Sequence, residues 1–392
     1  MTRISVVHIP FYSHIGAATR LAAVLARQGH EVRAWGPAGC REQIEASGAS
    51  FALHRPEMPT TDSFAGFVAS LAELVLPLTE TLIEELFDYD PDLLVHDSQV
   101  PWARVAGDFL GIPRIVTHPM FPLSDPKRIA SVDEQLAPLT PPEQASARFE
   151  QAWHAVGRRW GVELGTWDSV IHTAFRKGET IVTFTTDEIL GPVELSGRWH
   201  CVGPLMDPPP TPAARPERPL VYACFGTSFN RRRHQFRAVL DALADEPVAV
   251  VVSTGRSPLT IEELGPLPAN AEIHEFADNR ERLARASVHI THGGCNSVHE
   301  SLLAGVPMVC LPQAYDQFPL TGRLHELGVA RVVSETPQAI RDGVRWALED
   351  PAPARLTREL GQRVLAYDGE RRVRELVEQT LAHGAAHEAA AA

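Results

Sequence analysis

A histidine, two glycines and a carboxylate at helical spacing mark one stretch of the chain as able to hold an anion. In SVHITHGGCNSVHESLLAGVPMVCLPQAYDQ, residues 287–317, the β-branched run SVHIT reads as a buried strand. His292, Gly293 and Gly294 then turn it into a helix that opens through Asn296, Ser297, Glu300 and Leu303. The glycines permit positive φ and let a ligand approach the backbone, while the helix start offers free N–H groups and partial positive charge. A diphosphate is the expected occupant. Asn296 and Ser297 can bond a phosphate, and Glu300, one turn further on, can bridge a vicinal diol such as a ribose. A second strand at 306–311 ends in Pro312, and the loop after it carries Asp316 and Gln317, short polar groups suited to the hydroxyls of a hexose. Ser297 and Glu300 also spell an S-x-x-E capping box, which would satisfy helix-end amides with no ligand. His292 alone is a weak signal among seventeen histidines.

The elements that must position these groups alternate. Strands are expected at 4–9, 31–35, 50–53, 92–96 and 114–117, with helices between them, one of them carrying Phe64, Phe67, Leu71 and Leu74. Such alternation implies a parallel doubly wound sheet of order 3-2-1-4-5, in which the loops after strands one and four meet at the ligand crevice. Those loops carry His14 and Asp97, an imidazole and a carboxylate for one site. The plainer readings are a strand-end residue for His14 and an N-cap near Pro101 for Asp97. The second half repeats the logic, with strands at 220–225, 248–253, 272–276 and 288–291. Its loops Gly226, Thr227, Ser228 and His292 to Ser297 should converge, with Gly255 ending the next strand. The expected fold is therefore α/β, two Rossmann-like parallel-sheet domains facing across a cleft.

At 392 residues the chain suits two domains of about 200 residues each. We expect an amino-terminal domain at 1–205, a stiff proline-rich linker at 206–219, and a carboxyl-terminal domain at 220–369. The apolar stripe Val373, Leu376, Val377 and Leu381 marks a last helix at 370–383 that packs on something, and the alanine-rich tail from His383 is expected to be disordered. The segment 120–175, with Trp153, Trp160 and Trp167, reads equally as core or as a lid over an apolar acceptor pocket. A formal charge of −13 argues against nucleic acid or an anionic membrane as a partner. Five scattered cysteines suggest neither a disulfide framework nor a zinc site, so a reducing cytoplasm fits. No run approaches a bilayer span, and the first residues read as a strand, not an export signal. Two lysines against thirty-four arginines match an actinobacterial bias.

THGGCNSVHESLLAGVPMVCLPQAYDQ resembles the donor-binding signature of nucleotide-sugar-dependent glycosyltransferases of the GT-B fold, particularly the bacterial enzymes that decorate antibiotic aglycones. IPFYSHIGAATRLAAVLARQGHEV and HDSQVPWARVAGDFLGIP look like that family's segments bearing the catalytic histidine and its carboxylate partner. The resemblance implies that His292, Gly293 and Gly294 contact the diphosphate, Glu300 the ribose, and Asp316 and Gln317 the transferred sugar. It adds Gly226, Thr227, Ser228, Gly255, Phe276 and Ala277 to the donor set, with Phe276 stacking on the base less extensively than the family's usual Trp. It also implies that the last helix crosses back to the first domain. The departures are Ala17 or Ala18 where many relatives carry a proline, and EFADNRERL where they often carry Trp and Gln.

The expected activity is hexosyl transfer with inversion from a UDP- or dTDP-sugar to a hydroxyl of an apolar, macrolide-like small molecule in antibiotic biosynthesis, with His14 as base, Asp97 orienting it, and the helix dipole and His292 neutralising the leaving group. No metal or other cofactor is expected, and a homodimer is compatible with the sequence. The competing readings are a sugar-nucleotide epimerase or hydrolase and a non-catalytic nucleotide-sugar-binding partner. Arg231 to Arg233 reads as a solvated basic face more readily than as a phosphate contact.

Overall fold

The computed structural model describes residues 1–9, 11–57, 64–122, 143–162, 164, 179–192, 198–210, 216–227, 232–257, 259–313 and 316–391. The first sheet contains β1 (Arg3–Val7), β2 (Glu31–Gly36), β3 (Ser50–Leu53), β4 (Leu93–Asp97), β5 (Arg114–His118), β6 (Thr180–Thr183) and β7 (Arg198–Cys201). Its order is β3-β2-β1-β4-β5-β6-β7, parallel throughout. The expected order of the first five strands holds, and two further strands extend the edge beyond β5.

Both faces of this sheet are covered, which is why β1 and β4 read as continuous apolar runs without alternation. On one face lies α1 (Tyr12–Arg27), with Leu21 and Leu25 packed on Ile4 and Val6. After the short α2 (Arg41–Ala46), the other face takes α3 (Phe64–Tyr89), α4 (Pro101–Leu110) and α5 (Glu143–Trp160). Leu71, Leu78, Trp102, Phe149 and Trp153 form one buried cluster there with Val7 and Leu94. Trp153 is thus core, stacked on Phe149, and Trp160 packs half-buried against the same cluster. Trp167 and residues 123–142 lie outside the described residues, as do 58–63.

After α6 (Asp187–Leu190) and β7, residues 206–210 and 216–219 of the linker carry no helix or strand, with 211–215 outside the described residues. The Arg280 Nη2 donates to the Pro208 carbonyl at 2.8 Å and ties this passage to the second half. The second sheet contains β8 (Leu220–Cys224), β9 (Ala249–Ser253), β10 (Ala271–His274), β11 (Val288–Thr291), β12 (Met308–Cys310) and β13 (Ala330–Val332). It is again parallel, in the order β10-β9-β8-β11-β12-β13. The strands expected at 220–225, 272–276 and 306–311 come out shorter, ending at Cys224, His274 and Cys310, with Phe225 and Leu311 buried just beyond the ladder.

Helices α7 (Arg233–Leu243), α8 (Ile261–Leu264), α9 (Asn279–Leu283), α10 (Cys295–Ala304), α11 (Gln317–Glu326), α12 (Pro337–Glu349) and α13 (Pro351–Leu365) surround the second sheet. The chain then returns to the first half. Helix α14 (Gly369–Ala391) lays Val373, Leu376 and Val377 into the cluster of Ile4, Leu21 and Leu25. The two passages between the halves touch. A Cβ at Gly369 would lie 2.0 Å from the Val202 carbonyl oxygen, and one at Gly203 would lie 3.1 Å from the Tyr367 ring.

The tail expected to be disordered from His383 continues α14 to Ala391, in keeping with the high helix propensity of alanine. All five cysteines are free. Among the described residues no helix is long and apolar enough to cross a membrane.

Candidate active site in the cleft

Helix α1 begins at Tyr12, with Phe11 as its extended N-cap, and the amides of His14 and Ile15 both donate to the Phe11 carbonyl at 2.9 Å. His14 therefore sits in the first helical turn and not in the loop expected for it. Ala17 and Ala18, good helix formers, let that turn run on unbroken. Asp97 is the last residue of β4, one strand from β1, not a residue of the following loop.

The His14 Nδ1 meets the Asp97 Oδ2 at 2.6 Å, and both side chains are buried. The Asp97 Oδ1 accepts the Gln99 amide at 2.8 Å. Asp97 is no helix cap, since α4 is capped by Val100 without a side-chain bond. Burial pushes the Asp97 carboxyl up, but the His14 ring and the Gln99 amide outweigh it and hold the group below its ordinary range. An ionised Asp97 accepts a hydrogen bond from the Nδ1–H of His14, which assigns the unprotonated lone pair to Nε2.

Four more imidazoles lie at the carboxyl edge of this sheet. His8, His96 and His118 are each driven down to about 4 and His54 to about 3, all chiefly by burial. Their bonds are to neutral groups: His54 Nε2 donates to the His8 carbonyl at 2.8 Å, and His118 Nδ1 meets the Ser98 hydroxyl at 2.9 Å. At neutral pH these four are uncharged, so within this cluster it is Asp97 that carries a charge beside His14.

Across the cleft, β11 ends at Thr291 and α10 starts at Cys295. Only Gly293 takes positive φ, at +82°, whereas Gly294 is an extended N-cap at −64°. Gly294 lacks a side chain for a different reason. A Cβ there would lie 2.5 Å from the His292 Nε2, and one at Gly226 would lie 2.9 Å from its Cε1. The His292 ring is thus clamped between the loop after β8 and the tip of α10. Burial holds it down to about 4, with the Cys224 backbone opposing. A ring held that low is neutral at physiological pH.

The capping box does not form. Ser297 lies inside α10, and the N-cap is Gly294 without a side-chain bond. The Glu300 carboxylate instead accepts the Asn279 Nδ2 at 2.8 Å, and the Asn279 Oδ1 accepts the Tyr222 hydroxyl at 2.7 Å. The Asn296 Oδ1 accepts the Arg20 Nη2 at 2.8 Å, and its Nδ2 donates to the Ser13 carbonyl at 3.1 Å. The Asp316 Oδ2 accepts the Phe121 amide at 2.9 Å, and the Gln317 Oε1 accepts the Gln313 amide at 2.7 Å. His14, Asp97, Asn296 and Asp316 are therefore brought to one gap from opposite halves.

Further along the second sheet's edge, Thr227 is exposed, Gly255 turns at φ +65°, and Ala277 is half-buried. The Phe276 ring, expected to stack on a base, has the Arg256 guanidinium over one face at 4.3 Å. Ser228 and Arg231 lie outside the described residues. Sequence reasoning missed Ser13, Arg20, Phe121 and Tyr222. It quoted Asn279 within EFADNRERL without singling it out, although a short amide beside an Asp N-cap is a signal for a positioned polar group.

Asp316 yields a pH prediction. Burial raises its carboxyl to about 6, against the pull of the Phe121 amide and His14. The group is easier to ionise in the unfolded chain, so its ionisation costs stability as pH rises from about 4 through 6. We expect Asp316→Asn, which keeps an oxygen for the Phe121 amide, to gain on the wild type by on the order of 2 kcal/mol between pH 4.5 and 8. Parallel urea melts at the two pH values check this, and an unchanged difference would show that the carboxylate is well solvated.

Residues 213–349 match the family model described as UDP-glucoronosyl and UDP-glucosyl transferase. Oleandomycin glycosyltransferase from Streptomyces antibioticus is 24% identical over 411 aligned residues, covering 96% of this chain and 90% of that protein. Among solved structures, the glycotransferase of kitacinnamycin superposes with a TM-score of 0.80 at 24% identity, covering 97% of this chain and 98% of that one. The glycosyltransferase VinC in complex with DTDP gives 0.71 at 20% identity, covering 97% and 100%. Two parallel α/β halves closing on one cleft, with the family match lying across the glycine-marked helix, identify the chain as a nucleotide-sugar-dependent glycosyltransferase of the GT-B fold.

Proposed function

We propose that the chain transfers a sugar, with inversion, from a UDP- or dTDP-sugar to a hydroxyl of an apolar, antibiotic-type small molecule, with His14 as the general base. The observation that carries this is the buried 2.6 Å contact of His14 with Asp97 at the gap where Asn296 and Asp316 arrive from the other half. The His14 Nε2 takes the acceptor proton as its oxygen attacks the anomeric carbon. The bond to the diphosphate breaks on the opposite face, and Asp97 stabilises the imidazolium that forms. A single displacement of this kind inverts the anomeric centre. The N-terminus of α10, equivalent to roughly half a positive charge, receives the departing diphosphate with no metal in the scheme. Glu300, aligned by Tyr222 and Asn279, suits the ribose hydroxyls, and Asp316 and Gln317 suit the sugar. The relatives named for oleandomycin and kitacinnamycin support an antibiotic-type acceptor, and the DTDP complex supports a dTDP-linked donor.

Mass spectrometry of mixtures of UDP-glucose or dTDP-sugars with polyphenols and macrolides tests this. The expected product is an acceptor heavier by one glycosyl unit, absent with His14→Ala. Donor hydrolysis without any glycosylated product, or product formed undiminished by His14→Ala, would overturn the reading.

A further inference from the structure

A donor diphosphate carries negative charge into its site, and a cation beside the tip of α10 would stabilise it. Arg20 is placed for it. It rises from α1, in the half opposite the donor helix, two turns after His14. Its Nε donates to the Pro204 carbonyl at 3.0 Å, and its Nη2 donates to the Asn296 Oδ1 at 2.8 Å in the first turn of α10. Those two bonds fix the guanidinium plane. Its Nη1 has no hydrogen bond to any described residue and lies 3.3 Å from where a Cβ would stand at Gly16. The absence of a side chain at Gly16 therefore leaves room around that nitrogen, beside the helix tip.

Burial lowers Arg20 to about 10, with the charge of Glu300 opposing, so it remains a cation at neutral pH. A half-buried guanidinium with unspent donors next to helix-end N–H groups is matched to an oxyanion that accepts two bonds at once.

We propose that Arg20 binds the donor's diphosphate from the amino-terminal half, so that the donor site is complete only when the two halves are closed. This rests on the reading of α10 as the diphosphate site. The plain alternative is a latch, in which Arg20 does no more than hold Asn296 and the Pro204 passage in place. The two differ in what they recognise. A phosphate contact discriminates between nucleotides and nucleosides, whereas a latch affects both alike.

Calorimetric titration of the full chain with UDP, dTDP, uridine and thymidine separates them, using wild type, Arg20→Gln and Arg20→Lys. Arg20→Gln should weaken UDP or dTDP by about tenfold or more while leaving the matching nucleoside within about twofold. Arg20→Lys, which keeps the charge and loses the fork, should fall between. Thermal melts establish that both variants are folded. Equal losses for nucleotide and nucleoside, or no loss for the nucleotide, would overturn the proposal while leaving the donor site in place. Wild-type protein that binds neither diphosphate would remove the donor-site reading and this proposal with it.

Discussion

His14→Ala is expected to lower kcat for glycosyl transfer by about 100- to 10,000-fold, which corresponds to roughly 3 to 5 kcal/mol of transition-state stabilisation. The donor KM should change little, because the imidazole serves the acceptor proton and makes none of the donor contacts assigned above. Steady-state kinetics on the first acceptor found in the mass-spectrometric screen measure both constants. The loss has a second source. Removing the ring leaves the Asp97 carboxylate buried with one amide for company, an arrangement that costs energy of its own. Asp97→Asn separates the two effects, since it keeps the size and the ring while removing the acceptor that sets the tautomer. A kcat drop for Asp97→Asn comparable to that for His14→Ala would show that the pair acts as one unit. An unchanged kcat in His14→Ala would end its role as base.

Gly361→Ala should be the most damaging single methyl group in the second half. The α13 helix crosses α10 so closely that a Cβ at 361 would stand 1.9 Å from the Leu302 carbonyl oxygen and 2.8 Å from its carbon. Backbone cannot swing aside as a side-chain tip can, so the helices must separate. We expect a loss of about 3 kcal/mol or more in urea denaturation, although alanine is the better helix former at an exposed site. The strain falls on α10, whose first turn carries Asn296 and whose interior carries Glu300, so the surviving folded protein should also bind UDP or dTDP more weakly. A variant as stable as the wild type would show that the crossing has slack.

The alternation of strands and helices was legible because parallel strands buried on both faces write themselves as nearly continuous apolar runs, as in ISVV and LLV. The donor helix was legible for a similar reason, since a strand, two glycines and a polar first turn are all local features. What stayed hidden is non-local. Arg20 looked like any of thirty-four arginines, and only the closed cleft sets it beside Asn296, 276 positions later. The Phe121 amide that Asp316 receives could not be foreseen, because a backbone group carries no mark of its partner. The glycines were assigned the right place with an incomplete cause. Gly294 and Gly226 make way for the His292 ring, a packing demand that neither turn chemistry nor spacing expresses. Trp153 was undecided between core and lid because an amphipathic helix shows one apolar stripe in either role, and its packing against α3 settles it.

The chain passes between its halves twice, and the passages press on each other where Val202 meets Gly369 and Gly203 meets Tyr367. Two tethers gathered at one point act like the pin of a door. Any swing of one half against the other must pivot there, so the jaws gape most at whatever lies farthest from the pin and least beside it. Arg20, bonded to Pro204 two residues beyond Val202, sits close to that pivot, where the smallest swing is needed to bring it back to Asn296.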